Sequence, residues 1–405
     1  MPSLLDLPPE LIDEIADLVH ATHPKQYLGA AHRTFLPASR RLFFRLLVAT
    51  SFVRLDRLCD LLRQGEAVAQ SVARLELDLA GVDPGLPSSA DVAALLESLP
   101  SLRVLEVRDS PRILDIATSP LSSKPNLEQL CLDFPPNTQF SPFHLDRFRR
   151  LATYTNLYTL SICAESDGTP PPQIHPPPAP LSLNVVHLRL EGWLLDDPAV
   201  PLLIAACPHL DALALGHHDG TQDGLGLPFD HLLDAVASTA LRRLDLSDTG
   251  DYRHTELSSA IERFTELECL GLRLSCAAAE LLASLHKFPL LSTVVFHPGV
   301  DIATDGILLL LKPTTKPPSL RALKVDKIDP VLAQQNMNIA YDWSPSFSKS
   351  GVAALLAAAD EVGVEMSGYC VEVVKAEQAA EAAAASTKES RKAGREAAKN
   401  AVVKT

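Results

Sequence analysis

The chain has 405 residues, 46% of them hydrophobic, and a formal net charge of -14 at pH 7. This length exceeds one ordinary compact domain, so we expect several domains or one extended repeat array. The acidic balance argues against nucleic-acid binding by the whole fold, because phosphate backbones carry the same sign of charge.

The cysteines and the apolar runs bear on the location of the chain. Seven scattered cysteines form no matching CxxC pairs, so we expect neither a disulfide framework nor a metal site. The start, MPSLLDLPPELIDE, lacks the basic region of a signal peptide, and the apolar run from Gly306 to Leu311 is far too short to span a membrane. We therefore expect an intracellular protein, cytoplasmic or nuclear, with no membrane partner.

The N-terminal segment, residues 1–48, has helical spacing of its apolar side chains. Asp6 is placed to cap a first helix, whose apolar face repeats at Leu11, Ile15 and Leu18. Two more helical segments carry Leu28, Phe35 and Leu36, and then Leu42, Phe43, Leu46 and Leu47. Such a short segment makes a poor independent core, so we expect it to pack against the next domain or a partner.

These residues resemble an F-box. The family's opening Leu-Pro-x-Glu-Leu and following helical face are matched by Leu7, Pro8, Glu10, Leu11, Ile15 and Leu18. The middle of the family's motif is matched by Leu28, Arg33 and Phe35, and its end by Phe43 or Phe44, Arg45 and Leu46. At two positions the chain departs from the motif, since Ala31 and His32 replace the usual Val and Cys or Ser. The resemblance implies binding to a Skp-family adaptor, and through it to a cullin, by Leu7, Pro8, Glu10, Leu11, Ile15, Leu18, Leu28, Phe35 and Leu46. The alternative is a helical cap on the first repeat.

A linker helix is expected over residues 49–68, and an internal repeat follows it over 69–374. The pattern apolar-x-x-apolar-x-apolar begins at Val72, Leu102, Leu127, Leu157, Val185, Leu210, Leu241, Leu267, Leu291 and Leu320. Consecutive starts lie 24 to 31 residues apart. The alternation predicts a short strand in each repeat, and apolar residues at helical spacing predict helices between strands, as at Leu202-Leu203-Ala206, Leu232-Leu233-Val236 and Leu281-Leu282-Leu285.

No single repeat can bury both its strand and its helix, so neighbouring repeats must stack into one core. The pattern looks like the leucine-rich-repeat family, which implies an α/β fold. We expect a three-helix F-box-like module followed by a curved solenoid of about ten repeats, with a parallel concave sheet and convex helices. The family often has Asn, Cys or Thr three residues after the third apolar position, and this chain lacks such a regular polar ladder, so irregular turns are expected.

The concave face is where we expect a substrate. Small outward side chains in the middle strands leave room for a ligand segment, or for the protein's own tail, although an unselective solvated face is the alternative. The candidate substrate-binding residues are Arg74, Glu76, Glu106, Arg108, Cys163, Ala214, Gly216, Gly271 and Arg273.

Three other segments have simpler interpretations. The proline-rich segment 169–180 predicts an exposed spacer, with binding of an SH3- or WW-like domain as the alternative. The pair His217-His218 lies in a glycine-rich turn, where a solvated loop is favoured over a metal site. The tail, residues 375–405, is rich in Ala, Lys and Glu and is expected to be helical or disordered. Its basic residues are expected to solubilise the chain, with a nuclear import signal or binding to an acidic partner as the alternatives.

No catalytic motif is found, so we expect a protein that is not an enzyme and needs no cofactor. The two resemblances together imply a substrate-recognition subunit of a cullin-RING ubiquitin ligase, with an unknown protein substrate. The alternative is a leucine-rich-repeat scaffold outside the ubiquitin pathway.

Overall fold

The structure is a computed structural model. It describes residues 45–49, 57–60, 62, 66–78, 95–108, 126–134, 151–164, 182–192, 195, 200–217, 229–238, 240–248, 257–274, 279–297, 304–325, 349–368, 371–372, 374–376, 378–384 and 386–387. Most of the predicted N-terminal module, the proline-rich segment 169–180, His218 and the tail after residue 387 lie outside the described residues.

The chain divides into two compact units, Met1–Ser238 and Thr239–Thr405. Within each unit the described strands pair in parallel and follow chain order. The strands of the first unit are β1 Leu46–Ala49, β2 Arg74–Asp78, β3 Val104–Arg108, β4 Gln129–Phe134, β5 Thr159–Ala164, β6 His187–Gly192 and β7 Ala212–His217. Those of the second are β8 Arg243–Asp248, β9 Cys269–Leu274, β10 Thr293–Phe296, β11 Ala322–Val325 and β12 Glu365–Ser367.

The register places equivalent residues of successive repeats side by side. Leu105 pairs with Leu130, and in the second unit Leu244 pairs with Leu270. Both inward positions of the ten predicted strands, β2 to β11, are at most 5% exposed. Each fully buried leucine contributes about 1.5–3 kcal/mol of hydrophobic free energy. The predicted parallel strands, one per repeat, are therefore confirmed, and they fit a leucine-rich-repeat architecture.

The backbone also repeats its hydrogen bonds from one strand to the next. The carbonyl oxygen of Ala73 accepts from the backbone N–H groups of both Arg103 and Val104, and that of Arg103 accepts from both Glu128 and Gln129. In the second unit the carbonyl of Glu268 accepts likewise from Ser292 and Thr293. Each repeat therefore fixes where the next strand begins.

Helices lie between the strands, and those over the predicted helical patterns are confirmed. They are α1 Glu66–Ser71, α2 Val200–Ala205, α3 Phe229–Asp234, α4 Leu257–Glu262, α5 Ala279–Ser284, α6 Thr304–Leu311 and α7 Lys349–Val362, with a 3-10 turn at Leu285–Lys287. Leu203, Leu232 and Leu282 bury their side chains toward the core. No helix in the part of the chain that the structure describes is long and apolar enough to cross a membrane.

Polar side chains join some repeats at a position that the sequence did not indicate. Asn126 donates from Nδ2 to the carbonyl of Pro100 at 3.1 Å, and Asn184 donates to the carbonyl of Thr155 at 2.9 Å. Ser319 donates from Oγ to the carbonyl of Pro289 at 2.6 Å. Each donor directly precedes the first apolar residue of a repeat. These bonds therefore link neighbouring repeats directly before the strands begin.

Residues 46–49 correct the prediction for the end of the N-terminal module. They form strand β1, which pairs with β2, so the helix predicted over Leu46 and Leu47 is wrong. Leu47 and Ala49 are buried, and Leu46 is 44% exposed on the outward face. Phe44, Leu47 and Ala49 have the spacing of the repeat, 28 residues before Val72. The parallel sheet thus begins before the boundary predicted at residue 69.

The last described strand of the second unit lacks the repeat's leucines. In β12, Met366 pairs with Leu323, and the position aligned with Val325 is occupied by Gly368. Residues 371–372, 374–376, 378–384 and 386–387 are helical, and Val371 and Val374 bury their side chains. The described part of the predicted tail is therefore helical, and its residues from Lys375 onward are exposed.

Candidate functional site

A groove runs along the outward face of the first unit, over strands β1 to β6. Its volume is about 490 Å³. Its lining residues are Val48, Glu76, Leu77, Asp78, Glu106, Val107, Arg108, Cys131, Leu132, Asp133, Ser161, Cys163, Arg189 and Glu191. Most of these side chains alternate along their strands with the buried leucines, so the register that builds the core also places them on one surface.

Three carboxylates lie at one end of the groove, on β2 and β3. The guanidinium of Arg74 bridges two of them, with Nε 2.8 Å from Glu76 and Nη2 2.8 Å from Glu106. Asp78, the third, is the next outward residue of β2 after Glu76. Arg74 is 45% exposed, so its ion pairs are screened by water and contribute little to stability.

The middle of the groove is made of small, uncharged side chains. Cys131 is aligned with Ser161 across β4 and β5, and Cys163 follows Ser161 on the same face. Gln129 donates from Nε2 to the Cys131 sulfur at 3.3 Å. Burial is the main reason that the pKa of the Cys131 thiol is raised, against the opposing effect of this hydrogen bond. The thiol is therefore protonated and uncharged at neutral pH.

Ion pairs lie beside this uncharged middle. Arg108 Nε lies 3.3 Å from Asp133 Oδ2 on the next strand, and Arg189 Nη2 lies 2.7 Å from Glu191 Oε1 on its own strand. Glu191 also fills the space next to β7, since a Cβ added to Gly216 would be 3.0 Å from its Cγ. Both arginines are thus matched with a carboxylate.

The outward face of the second unit is arranged differently. His297 Nε2 lies 2.9 Å from Asp245 Oδ2, and this pair bridges strand β9 above Gly271. A Cβ added to Gly271 would be 2.7 Å from Asp245 Oδ2 and 3.0 Å from His297 Nε2. The small residue at position 271 therefore makes room for a bridge within the protein, and the prediction that it leaves open space for a ligand is wrong at this position.

The candidate substrate-binding residues fall into three groups. Glu76, Glu106, Arg108 and Cys163 line the groove, and Arg74 bridges two of its carboxylates. Ala214 and Gly216 lie on β7, outside the lining. Gly271 and Arg273 lie on β9 in the second unit.

The candidate list lacked seven outward residues of the lining: Val48, Asp78, Cys131, Asp133, Ser161, Arg189 and Glu191. Arg189 and Glu191 alternate with Leu188 and Leu190 along β6, so the alternation of that strand was the signal that could have found them. The adaptor-binding candidates from Leu7 to Phe35 lie outside the described residues, and Leu46 is on β1.

Among the residues that the structure describes, no group of three or more His, Cys, Asp and Glu side chains is arranged to hold a metal ion. Outside the groove, burial raises the pKa of the Cys207 thiol to about 12. Burial also raises the pKa of Cys269 on β9.

Comparison with solved structures found chains similar to this one, among them a leucine-rich-repeat protein. No family model matches the chain. No curated protein matches it either. The crystal structure of the leucine-rich repeat-containing protein LegL7 from Legionella pneumophila is 16% identical, over 74% of this chain and 84% of that chain, with a TM-score of 0.43. The repeat architecture described above rests on the paired strands of this chain itself.

Proposed function

We propose that the chain is a non-catalytic protein-binding scaffold and that the groove of the first unit holds its partner. The observation that carries the proposal is the groove itself, a sheet surface lined by charged, thiol and hydroxyl side chains. Six strands at about 4.8 Å spacing give it a length of about 24 Å. That length fits about seven residues of extended polypeptide.

The lining supports a polypeptide partner over a small molecule. Small-molecule sites are usually enclosed and mostly apolar, with few polar groups. Here five carboxylates and two guanidinium groups lie along an open face, where they can contact a chain at many points. Backbone amides and alternating side chains of a partner would match such a surface.

The test fills the floor of the groove and leaves the fold intact. Ser161→Arg places a long side chain between Cys131 and Arg189, whereas Leu202→Arg adds the same charge on helix α2, where Leu202 is 39% exposed. Both variants should match the native chain in thermal unfolding. A partner identified by affinity purification, and then purified, should bind Ser161→Arg at least tenfold more weakly and Leu202→Arg normally. Equal binding to both variants would contradict the proposal.

We further propose that the scaffold is a substrate receptor of a cullin-RING ubiquitin ligase. The support is the F-box resemblance of Leu7, Pro8, Glu10 and Leu11 at the N-terminus, ahead of the repeats. The N-terminal residues would bind a Skp-family adaptor, and the groove would hold the substrate. The receptor would act by raising the effective concentration of substrate lysines at the ubiquitin-loaded enzyme.

A purified Skp-family adaptor tests this part separately. Leu7→Ala combined with Pro8→Ala should abolish its co-purification with the chain. Leu290→Ala is the control, because Leu290 is 47% exposed and lies in the second unit, far along the sequence from the F-box-like residues, and it should leave adaptor binding unchanged. If the native chain does not bind the adaptor, or the double variant still does, the ligase proposal is wrong and the scaffold proposal remains.

A further inference from the structure

The charges of the groove are unevenly matched along its length. At the β2–β3 end, the carboxylates of Glu76 and Glu106 share the single guanidinium of Arg74. Asp78 adds a third carboxylate at the same end. The second cation at this end, Arg108 on β3, is aligned with Asp78 but lies 3.3 Å from Asp133 on β4. This end therefore carries a net negative charge.

The rest of the groove is close to neutral. Arg108 and Arg189 each lie against one carboxylate, Asp133 and Glu191 respectively. Between them are the uncharged side chains of Cys131 and Ser161. A partner segment in this groove would thus meet an anionic end and a neutral middle.

The anionic end is accessible and has an apolar margin. The side chains of Glu76 and Glu106 are 29% and 31% exposed, so water is partly excluded while a ligand can still reach them. Val48, aligned with Glu76 on the neighbouring strand, is 45% exposed. Arginine and lysine combine a charged head with an apolar stem, which matches a carboxylate pair beside an exposed valine.

We infer that the occupant of the groove is an extended, cationic segment of a partner protein. An arginine or lysine side chain of that segment binds the carboxylates of Glu76, Asp78 and Glu106, with its stem on Val48. Small uncharged residues of the segment lie over Cys131 and Ser161. The inference rests on the scaffold function proposed above and adds the chemistry of the partner.

Removing Arg74 and removing the carboxylates should change the affinity for a cationic peptide in opposite directions. Because its guanidinium already occupies Glu76 and Glu106, it competes with an incoming cation. Arg74→Met keeps the length of the side chain and removes the competitor. The loss of two exposed ion pairs should change stability little.

The probe is a fluorescein-labelled peptide, Arg-Arg-Ser-Gly-Ser-Gly-Ser, titrated with the full chain at low salt and followed by fluorescence anisotropy. Glu76→Gln with Glu106→Gln should weaken binding at least tenfold, and Arg74→Met should strengthen it several-fold. Glu97→Gln removes one charge from an exposed site in the same unit and should have no effect. The same peptide with citrulline for both arginines should bind at least tenfold more weakly.

Three results would overturn the inference. The first is binding that is unchanged by the double glutamine variant or by Arg74→Met. The second is tighter peptide binding after truncation behind Thr387, which would identify the chain's own basic tail, with Lys388, Arg391 and Lys392, as the occupant. The third is a dimer that the double glutamine variant dissociates, which would identify a second copy.

Failure of this inference is distinguishable from failure of the scaffold function. If Ser161→Arg abolishes binding of a purified partner and the arginine peptide does not bind, the groove binds proteins and the assigned chemistry is wrong. If the peptide binds as expected and Ser161→Arg weakens the binding of no purified partner, the groove binds cations and the scaffold function is wrong.

Discussion

The two units have the same pattern of buried inward residues and differ on their outward faces. In the first, the outward side chains of β1 to β6 line an open groove, whereas in the second the Asp245–His297 pair spans β9 above Gly271. The inward positions are leucine or a similar apolar residue in both. Since the strands alternate, each outward position can change without disturbing the inward one. The same repeat therefore supports an open surface in one unit and a bridged one in the other.

The largest expected effect concerns what the two units share. Leu270→Ala removes a fully buried side chain that is aligned with Leu244 and Val294, and it should lower the free energy of unfolding by about 2–5 kcal/mol. Leu290→Ala is the control, because Leu290 is 47% exposed, and it should change stability by less than about 0.5 kcal/mol. Urea denaturation measures both. Similar losses for the two variants would show that the inward alignment is wrong.

A pH experiment tests the burial of one cysteine in the interior. The pKa of Cys207 is raised from 9.0 to about 12 because the thiol is buried, so above pH 9 the unfolded chain loses a proton that the folded chain keeps. The contribution of this thiol to stability is thus complete below pH 9 and falls by about 1.4 kcal/mol per pH unit as the pH rises toward 12.

Urea denaturation of the native chain and of Cys207→Ala, at several pH values between 8 and 10.5, checks this. The variant should lose less stability with rising pH than the native chain does. Parallel pH dependences would show that Cys207 is not buried as described.

The glycines of the two outward faces should respond differently to the same substitution. Gly271→Ala displaces the Asp245–His297 bridge and should cost about 1 kcal/mol, the usual contribution of one hydrogen bond. Gly216→Ala meets only the flexible side chain of Glu191 and should be within about 0.5 kcal/mol of neutral. Thermal unfolding measures both. In an Asp245→Ala background, Gly271→Ala should lose its cost; if the cost persists, the bridge is not its cause.

The smallest expected effect is on the open face itself. Arg74→Met breaks two exposed ion pairs, with Glu76 and Glu106, and should change the free energy of unfolding by less than about 0.5 kcal/mol. Urea denaturation at low salt and at 0.5 M salt checks this. A loss above 1 kcal/mol would mean that Arg74 supports the fold and is not free to serve only the groove.

The core was predictable from the sequence because it depends on local spacing. Pairs such as Leu105 and Leu130 follow directly from the repeat once one strand per repeat is assumed. β1 was missed for two reasons. Ala49 stands where most repeats have a leucine, and the preceding sequence Phe44-Arg45-Leu46 matched the end of an F-box. β12 was missed because Gly368 stands at the third apolar position of the repeat, where the preceding repeat has Val325.

The outward face was less predictable, because its contacts depend on side-chain directions across strands. Arg74 and Glu106 are 32 residues apart, and only the register brings them together. Open space was expected above Gly271, which is aligned with Val295. The sequence does not show that the side chain of His297, two residues after Val295, lies close to Asp245. Composition alone could not separate a bridged glycine from an open one.

Gly368 has a consequence for how the second unit ends. Its φ of +110° is available to glycine without strain, and any larger residue there would collide with the backbone of Val325. After Gly368, Val371 and Val374 are buried, and Lys375 donates from Nζ to the carbonyl oxygen of Met366 on β12. An open sheet edge is a template on which another strand can add, which leads to aggregation. The bond from Lys375 occupies one backbone acceptor of β12, so a strand that added at this acceptor would first have to displace Lys375.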